Sequence, residues 1–573
     1  MPRTEFPPRR GSFIALSGRL DAILDWLSLS HRRAALALIV VALVVLLPGF
    51  ALLPPTNRDE SRFAQPTKQM IETGDYVDIR LQETARYRKP IGIYWLQAAA
   101  VRAAERIGFE NARARIVFYR VPSLLAAIGA VLLTYWAALA FVARRYAMLA
   151  ALALATSILL GVEARLATID ASLLFTAVAA QGALARVYLG RDSPDSPARD
   201  WGLAAIFWSA LAGSILLKGP IIPLIVGLTA LSLVIADRSA RWLLRLKPAL
   251  GLLWVLLLVL PWFFAILARS QGAFYGQSVG RDFLGRLMEG AEGHGAPPGY
   301  YWLLFWILFW PAAPLAVLAT PFAWANRREP AVRFLIAWIV PGWLMFELVV
   351  TKLPHYVLPF LPGFAILIAL ALARRAPLDG WTRATAFLWP VIAILLPLAA
   401  FLLIVFFEGR FSKSFLPCAA IGIVLGGLAW WRLLVQSAER GLILVLIAAV
   451  ANAIAVYTVL PKVKGITIAP RLVAAARAAP CRTLQIASAG YHEPNLVFLG
   501  GTATRLVGGA EAAEFLRLGG CRVAFVESRD ERAFADRAAM IGLTATRIDE
   551  IRGFDYSNWR WVDFLVLVAK EGG

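Results

Sequence analysis

Asn57-Arg-Asp-Glu-Ser-Arg-Phe-Ala64 follows closely on the apolar run Ala34 to Leu53, and Tyr87-Arg-Lys-Pro-Ile-Gly-Ile-Tyr94 comes soon after it. The run is long enough to cross the hydrocarbon core of a bilayer, which takes about 20 apolar residues in a helix. The adjacent carboxylates Asp59 and Glu60 therefore stand at a membrane surface, and Lys89 with Pro90 opens the next helical pattern. Acid and base offered together at one mouth of a span mark a candidate reaction site.

Working outward, the rest of the chain repeats the apolar theme. Of its 573 residues 59% are hydrophobic, and they come in blocks of spanning length, more than a soluble fold can bury. The class is a polytopic α-helical membrane protein. The net charge of +21 does not mark a nucleic-acid binder, because Arg and Lys sit in short loops between apolar blocks rather than in one basic domain. They read as topology signals, with anionic membrane lipids as natural partners. Residues 1–33 are basic with an amphipathic patch from Phe13 to Leu29, and read as a cytoplasmic amphipathic N-terminus with no cleavable signal peptide.

Thirteen spans are expected, near 34–53, 117–141, 146–163, 168–188, 201–218, 219–236, 248–268, 301–323, 334–350, 357–373, 384–407, 415–436 and 441–459. With the amino terminus inside, the inside loops carry Arg144 and Arg145; Arg186, Arg191 and Arg199; Arg238, Arg241, Arg245 and Lys247; Arg327, Arg328 and Arg333; and Arg374 and Arg375. Each is basic, as the positive-inside rule requires. The odd number of spans puts the carboxyl-terminal segment outside. The same alternation places Asp59, Glu60, Lys89, Asp170, Lys218, Arg269, His294, Lys352 and His355 on the outer side. Polar residues gather at any membrane interface, but their convergence on one face also fits an external active site.

Two outer segments are long. Residues 54–116 carry two amphipathic patterns, Ser61 to Thr73 and Pro90 to Ile107, the second with Ile91, Tyr94, Trp95, Ala98 and Val101 on one stripe; both are expected as interfacial helices. Residues 269–300 end in His294-Gly-Ala-Pro-Pro-Gly-Tyr-Tyr301, which reads as a mobile loop over a site. The organisation is then 34–460 as the transmembrane domain and 461–573 as a periplasmic α/β domain. In the latter, strand-length runs (Thr483 to Ile486, Arg522 to Val526, Phe564 to Val568) alternate with helical patterns (Arg471 to Ala479, Ala510 to Leu518, Glu531 to Ile541). No catalytic constellation stands out there. Cys481 and Cys521 each precede a strand and are in a position to pair in an oxidising compartment, whereas Cys418 reads as a packed membrane residue.

The chain carries no His-Glu-x-x-His metal motif, no Gly-x-Ser-x-Gly elbow and no P-loop, so nucleotide-driven chemistry is not expected. What remains is a set of carboxylates and cations beside spans that admit a long acyl chain. A substrate with its tail in the bilayer and its charged head at the interface fits.

Asp59-Glu60-Ser-Arg62-Phe-Ala64, Lys89-Pro90-Ile-Gly-Ile-Tyr-Trp95, Leu217-Lys-Gly-Pro220 and Thr351-Lys-Leu-Pro-His-Tyr-Val-Leu-Pro359 together resemble blocks of the bacterial aminoarabinose lipid A transferases. These belong to the GT-C glycosyltransferases, which use polyprenyl-phosphate sugars and have the protein O-mannosyltransferases as relatives. Phe63 departs from the Tyr expected there. The resemblance implies a multi-pass bacterial inner-membrane enzyme with a periplasmic active site. It would move 4-amino-4-deoxy-L-arabinose from undecaprenyl phosphate to a phosphate of lipid A, lowering the charge that draws polymyxin. A monomer, a lipid A acceptor and no nucleotide cofactor are expected.

Roles follow as expectations. The departing polyprenyl phosphate needs preorganised cations; Lys89, Arg62, Arg269 and Lys352 are the first candidates, with Lys218, His355 and Tyr356 behind them, and lipid snorkelling is the other reading of each cation. Asp59 acts as general base if the acceptor is a hydroxyl. If the acceptor is an ionised phosphate, it holds the sugar amine or orients the acceptor. Glu60 and Asp170 are catalytic candidates, with helix capping as the alternative for both. A divalent ion joining Glu83 or Asp59 with His355 is a further expectation that no ligand spacing supports. A protein O-mannosyltransferase-like enzyme is the nearest alternative function, and a lipid flippase or transporter a more distant one.

Overall fold

The computed structural model describes residues 11–191, 197–278, 295–409, 413–435, 437–479 and 484–569. His294 and Cys481 fall outside the described residues, and so does half of the expected loop at 269–300. Among the described residues, nine single helices are long and apolar enough to cross a membrane. Each coincides with one of the thirteen expected runs.

The other four runs are built from shorter or bent pieces. The first is α2 (His31–Leu46), preceded by α1 (Gly11–Ser28), which meets it at a bend of 119°. Run 146–163 is broken into α6 (Arg144–Ala155) and α7 (Ile158–Glu163). Run 219–236 is the 17-residue α10 (Ile221–Asp237), and run 301–323 is split into Tyr300–Leu308 and Pro314–Ala325. The split falls at Pro311 and Pro314, where a missing N–H removes helical hydrogen bonds.

Helices α3 (Ser61–Thr73) and α4 (Gly92–Ile107) form where the amphipathic patterns predict, each closed by a left-handed glycine, Gly74 (φ 77°) and Gly108 (φ 95°). Ile91, Tyr94, Ala98 and Val101 are buried as the stripe requires, but Trp95 is 40% exposed and hydrogen-bonds the Tyr76 carbonyl at 2.9 Å. Residues i and i+1 point about 100° apart on a helix, which leaves Trp95 at the edge of the stripe that Tyr94 shares. At Gly92 a Cβ would meet the Leu216 carbonyl oxygen at 2.7 Å, which brings α4 hard against α9 (Pro197–Lys218).

Ion pairs tie the loops together. At the arginine-rich end Arg145 bridges Asp21, Asp25 and Glu439, Arg191 and Arg333 share Asp237, and Arg245 holds Asp200. At the other end lie α3, α4 and the carboxyl-terminal unit. That unit has a five-stranded sheet of order β4-β3-β5-β7-β6, from β3 (Gln485–Ala489), β4 (Arg505–Val507), β5 (Arg522–Glu527), β6 (Ala545–Asp555) and β7 (Arg560–Ala569). β3 is parallel to β4 and to β5, β7 antiparallel to β5 and β6. β4 and β6 go beyond the sequence reading, because β4 is only three residues long and β6 is mostly exposed and lacks an apolar run.

Candidate active site

Glu60 is at the N-cap position of α3, yet its side chain makes no capping hydrogen bond. It is fully buried and takes a bidentate pair from Arg120 on α5 (Ile116–Ala138), Nε to Oε1 at 2.6 Å and Nη2 to Oε2 at 2.8 Å. The amide N–H of Ala167 (2.9 Å) and of Thr56 (3.2 Å) complete its coordination. Arg120 in turn donates to the carbonyls of Phe50 (2.8 Å), Leu53 (2.7 Å) and Pro54 (3.2 Å). Glu60 thus fastens the outer loop to α5 and to the turn before Asp170, and its carboxylate is closed to a substrate; the catalytic expectation gives way to a structural one. Arg120 was passed over in the sequence, although an arginine inside an apolar run signals a buried partner.

Asp59 points the other way and is exposed. Its neighbours hold the carboxyl-terminal unit. The Asn57 amide N–H donates to the Tyr556 hydroxyl at 2.7 Å and its side chain accepts from Asn495 at 3.0 Å, while Arg58 forks onto Glu493 at 2.8–3.1 Å. Farther along α3, Gln65 donates to Thr502 at 2.9 Å and Lys68 to the Phe498 carbonyl at 2.9 Å; burial lowers the Lys68 ammonium below its usual range against the pull of Glu72. The unit therefore grips both sides of Asp59. Arg58→Ala leaves Glu493, whose side chain is only 4% exposed, without its fork; amide hydrogen exchange at 57–60 is expected to speed up by about tenfold or more, whereas unchanged exchange would show that the loop holds its own shape.

The breaks that interrupt the apolar runs assemble the rest. Asp170 opens α8 (Asp170–Leu189), and its Oδ1 accepts from Lys218 at 2.5 Å. His355 lies between two buried carboxylates, with Nδ1 3.7 Å from Glu163 and Nε2 3.8 Å from Asp170. Thr168 donates to Glu163 at 3.1 Å. The charge of Asp59 acts on Glu163 and that of Lys89 on Asp170, so Asp59, Lys89, Glu163, Asp170, Lys218 and His355 share one electrostatic field. Glu163 also escaped the sequence reading, being counted as the end of an apolar span.

Beside this cluster opens a cavity of about 420 Å³. Its wall is mostly apolar, including Leu173, Phe263, Phe274 and Phe346, and its polar groups are chiefly Arg88, Lys89, Lys218, His355 and Tyr356. The Lys218 ammonium sits 5.3 Å from the Tyr356 ring centre. A mostly apolar cavity with Arg88, Lys89 and Lys218 in its wall suits a lipid tail carrying an anionic head.

The remaining sequence candidates lie elsewhere. Lys352 is buried and spends its ammonium on the carbonyls of Glu347 (2.8 Å), Val349 (2.7 Å) and Phe346 (3.3 Å), closing the helix Pro330–Leu348. Arg62 is half-buried, its carbonyl accepting from Arg86 at 3.0 Å, and it does not line the cavity. Arg269 ends α11 (Pro248–Ser270) in an ion pair with Asp75 at 3.1 Å. Burial pushes the Asp75 carboxyl up, but the N–H groups of Val77 and Asp78 and the Arg269 guanidinium outweigh it and hold it below the usual range. The stability Asp75 contributes is thus present above the ordinary carboxylate range and lost only as pH falls through the lowered value. Because Arg269 is 64% exposed, Arg269→Ala is expected to lower the thermal stability by no more than about 1 kcal/mol; a larger loss would show that the pair holds the end of α11 in place.

Glu83 sits exposed on the turn between β1 (Arg80–Leu81) and β2 (Thr84–Ala85). Among the described residues, no group of three or more His, Cys, Asp or Glu side chains is arranged to hold a metal ion.

The family model for dolichyl-phosphate-mannose-protein mannosyltransferases matches residues 57–273, which include Asp59, Lys89, Asp170 and Lys218. Among curated relatives, the undecaprenyl phosphate-α-4-amino-4-deoxy-L-arabinose arabinosyl transferase of Pectobacterium carotovorum is 27% identical over 352 residues, 60% of each chain. That of Pseudomonas aeruginosa PAO1 is 29% identical over 360 residues, again 60% of each. The chain thus spans about 60% of the length of these relatives. The crystal structure of ArnT from Cupriavidus metallidurans bound to undecaprenyl phosphate superposes with a TM-score of 0.72 at 19% identity, covering 94% of this chain and 98% of that one. In sequence the chain is thus similar to the aminoarabinose transferases over about 60% of its length, and in fold it is similar to ArnT, as a multi-pass membrane protein.

Proposed function

We propose that this chain moves 4-amino-4-deoxy-L-arabinose from undecaprenyl phosphate to a phosphate of lipid A, at the periplasmic face of a bacterial inner membrane. The observation that carries the reading is the apolar cavity lined by Lys89 and Lys218 beside the cluster of Asp59, Glu163, Asp170 and His355. The polyprenyl chain occupies the apolar wall and the donor phosphate meets the two ammonium groups.

A phosphate oxygen of lipid A attacks the anomeric carbon as the bond from that carbon to the donor phosphate oxygen breaks. The electron pair leaves on undecaprenyl phosphate, whose added charge Lys89 and Lys218 stabilise. The acceptor is already ionised, so no proton has to be removed from it. The exposed carboxylate of Asp59 then holds the sugar ammonium or orients the acceptor. The product carries less negative charge than lipid A, which weakens attraction to cationic peptides such as polymyxin.

The mannosyltransferase family match favours one other reading, a sugar transferred to a protein hydroxyl with Asp59 as general base. Purified protein supplied with undecaprenyl phosphate-aminoarabinose and lipid A separates the two. The proposal expects aminoarabinosylated lipid A and free undecaprenyl phosphate, and residual transfer in Asp59→Asn. Transfer to a serine or threonine peptide alone, abolished in Asp59→Asn, would replace it with the second reading.

A further inference from the structure

A second cavity, of about 880 Å³, opens at the arginine-rich end among α2, α5, α6 and α8. Leu173 lines the first cavity and Arg186 this one, and the stretch of α8 between them is about 20 Å long at 1.5 Å per residue. The catalytic cluster has no part in this cavity. Its polar wall is His31, Tyr135, Arg144 and Arg186, and its apolar wall includes Leu132 and Leu139.

The polar groups are held in place. The His31 Nδ1 and the Tyr135 hydroxyl are 3.0 Å apart. The Arg186 guanidinium stacks 4.5 Å from the Trp136 ring centre and donates to the Trp136 carbonyl. The Trp136 ring in turn lies where a Cβ on Gly182 would come within 2.5 Å, so α8 and α5 meet closely there. Arg144 is exposed and donates to the Leu29 carbonyl. The acids of this end are engaged with other arginines: Asp21 with Arg145 and Arg440, and Asp25 and Glu439 with Arg145. No carboxylate lines the cavity among the described residues. Two arginines and a histidine thus face a space whose nearest apolar wall belongs to a spanning helix.

We propose that this cavity seats the phosphate headgroup of an anionic phospholipid, with Arg144 and Arg186 on the phosphate and the acyl chains along Leu132 and Leu139. Basic pockets between spanning helices recognise such headgroups by charge, and guanidinium groups add paired hydrogen bonds to phosphate oxygens. The lipid would tie α2, α5, α6 and α8 together at the end remote from the chemistry. The inference does not rest on the transferase reading.

Native mass spectrometry of the purified full chain tests it, with phosphatidylglycerol, cardiolipin, phosphatidylcholine and inorganic phosphate as separate probes. The expected result is retention of phosphatidylglycerol and cardiolipin over phosphatidylcholine. Arg144→Glu and, independently, Arg186→Gln should each cut that retention by about fivefold or more, as for loss of one cation at an anionic lipid, while Arg144→Lys keeps most of it. Equal retention of phosphatidylcholine, or retention unmoved by both charge-removing variants, overturns the proposal. Inorganic phosphate that stabilises the protein against heat as well as the lipids do, and loses that effect in Arg144→Glu, makes it a small-anion site and overturns it too.

Discussion

Lys89→Ala is expected to lower turnover by about 10²–10³-fold while leaving the protein folded. Removing one preorganised donor from a developing oxyanion costs about that much elsewhere, and Lys89 lines the cavity with its charge acting on Asp170. Lys218 is a less clean probe, since its loss also leaves the buried Asp170 without its 2.5 Å partner. The measurement is single-turnover transfer with the donor saturating, beside binding of undecaprenyl phosphate. Loss of kcat with retained binding places Lys89 on the leaving phosphate in the transition state. Loss of binding alone places it on the ground-state headgroup, and no loss of either removes it from the site. Arg269→Ala is the built-in comparison, a cation of the same end spent on Asp75.

Glu60→Gln should cost about 3–5 kcal/mol of stability, because it leaves a buried guanidinium without its countercharge. The Arg120 side chain is 1% exposed and that of Glu60 0%, so water cannot replace the lost carboxylate. The amide keeps one acceptor oxygen for four former donors, Arg120 Nε and Nη2 and the amides of Thr56 and Ala167. Thermal unfolding in detergent reads the loss directly. A variant that unfolds normally but no longer transfers sugar would return Glu60 to the chemistry, where its place in the sequence beside Asp59 first put it.

That pair shows what a sequence does and does not disclose. Asp59 and Glu60 are adjacent carboxylates after a span, equal on every one-dimensional criterion. A turn points one to the open face and the other into the protein. Their division of labour depends on Arg120, 60 residues away. The spans were legible because hydropathy and loop arginines act locally, and α3 and α4 because their periodicity and closing glycines do. The breaks at Thr156 and near Pro311 were not, as Thr156 and Ser157 are small enough to sit within an apolar span and the residues around Pro311 are apolar. One of those breaks sets Glu163 facing His355. Lys352 and Lys218 look alike in sequence, each in a short polar motif at a helix end. Only the packed chain shows one filled by carbonyls and the other lining the cavity.

The central claim, aminoarabinose transfer to lipid A, is tested most directly by mass spectrometry of lipid A from a bacterium lacking its own transferase and expressing this chain, with Lys89→Ala beside it. The account predicts lipid A carrying the mass of one or more aminoarabinose groups with the unaltered chain, and its loss with Lys89→Ala. Unmodified lipid A from cells that hold the folded, membrane-inserted protein and a full pool of the donor would contradict it.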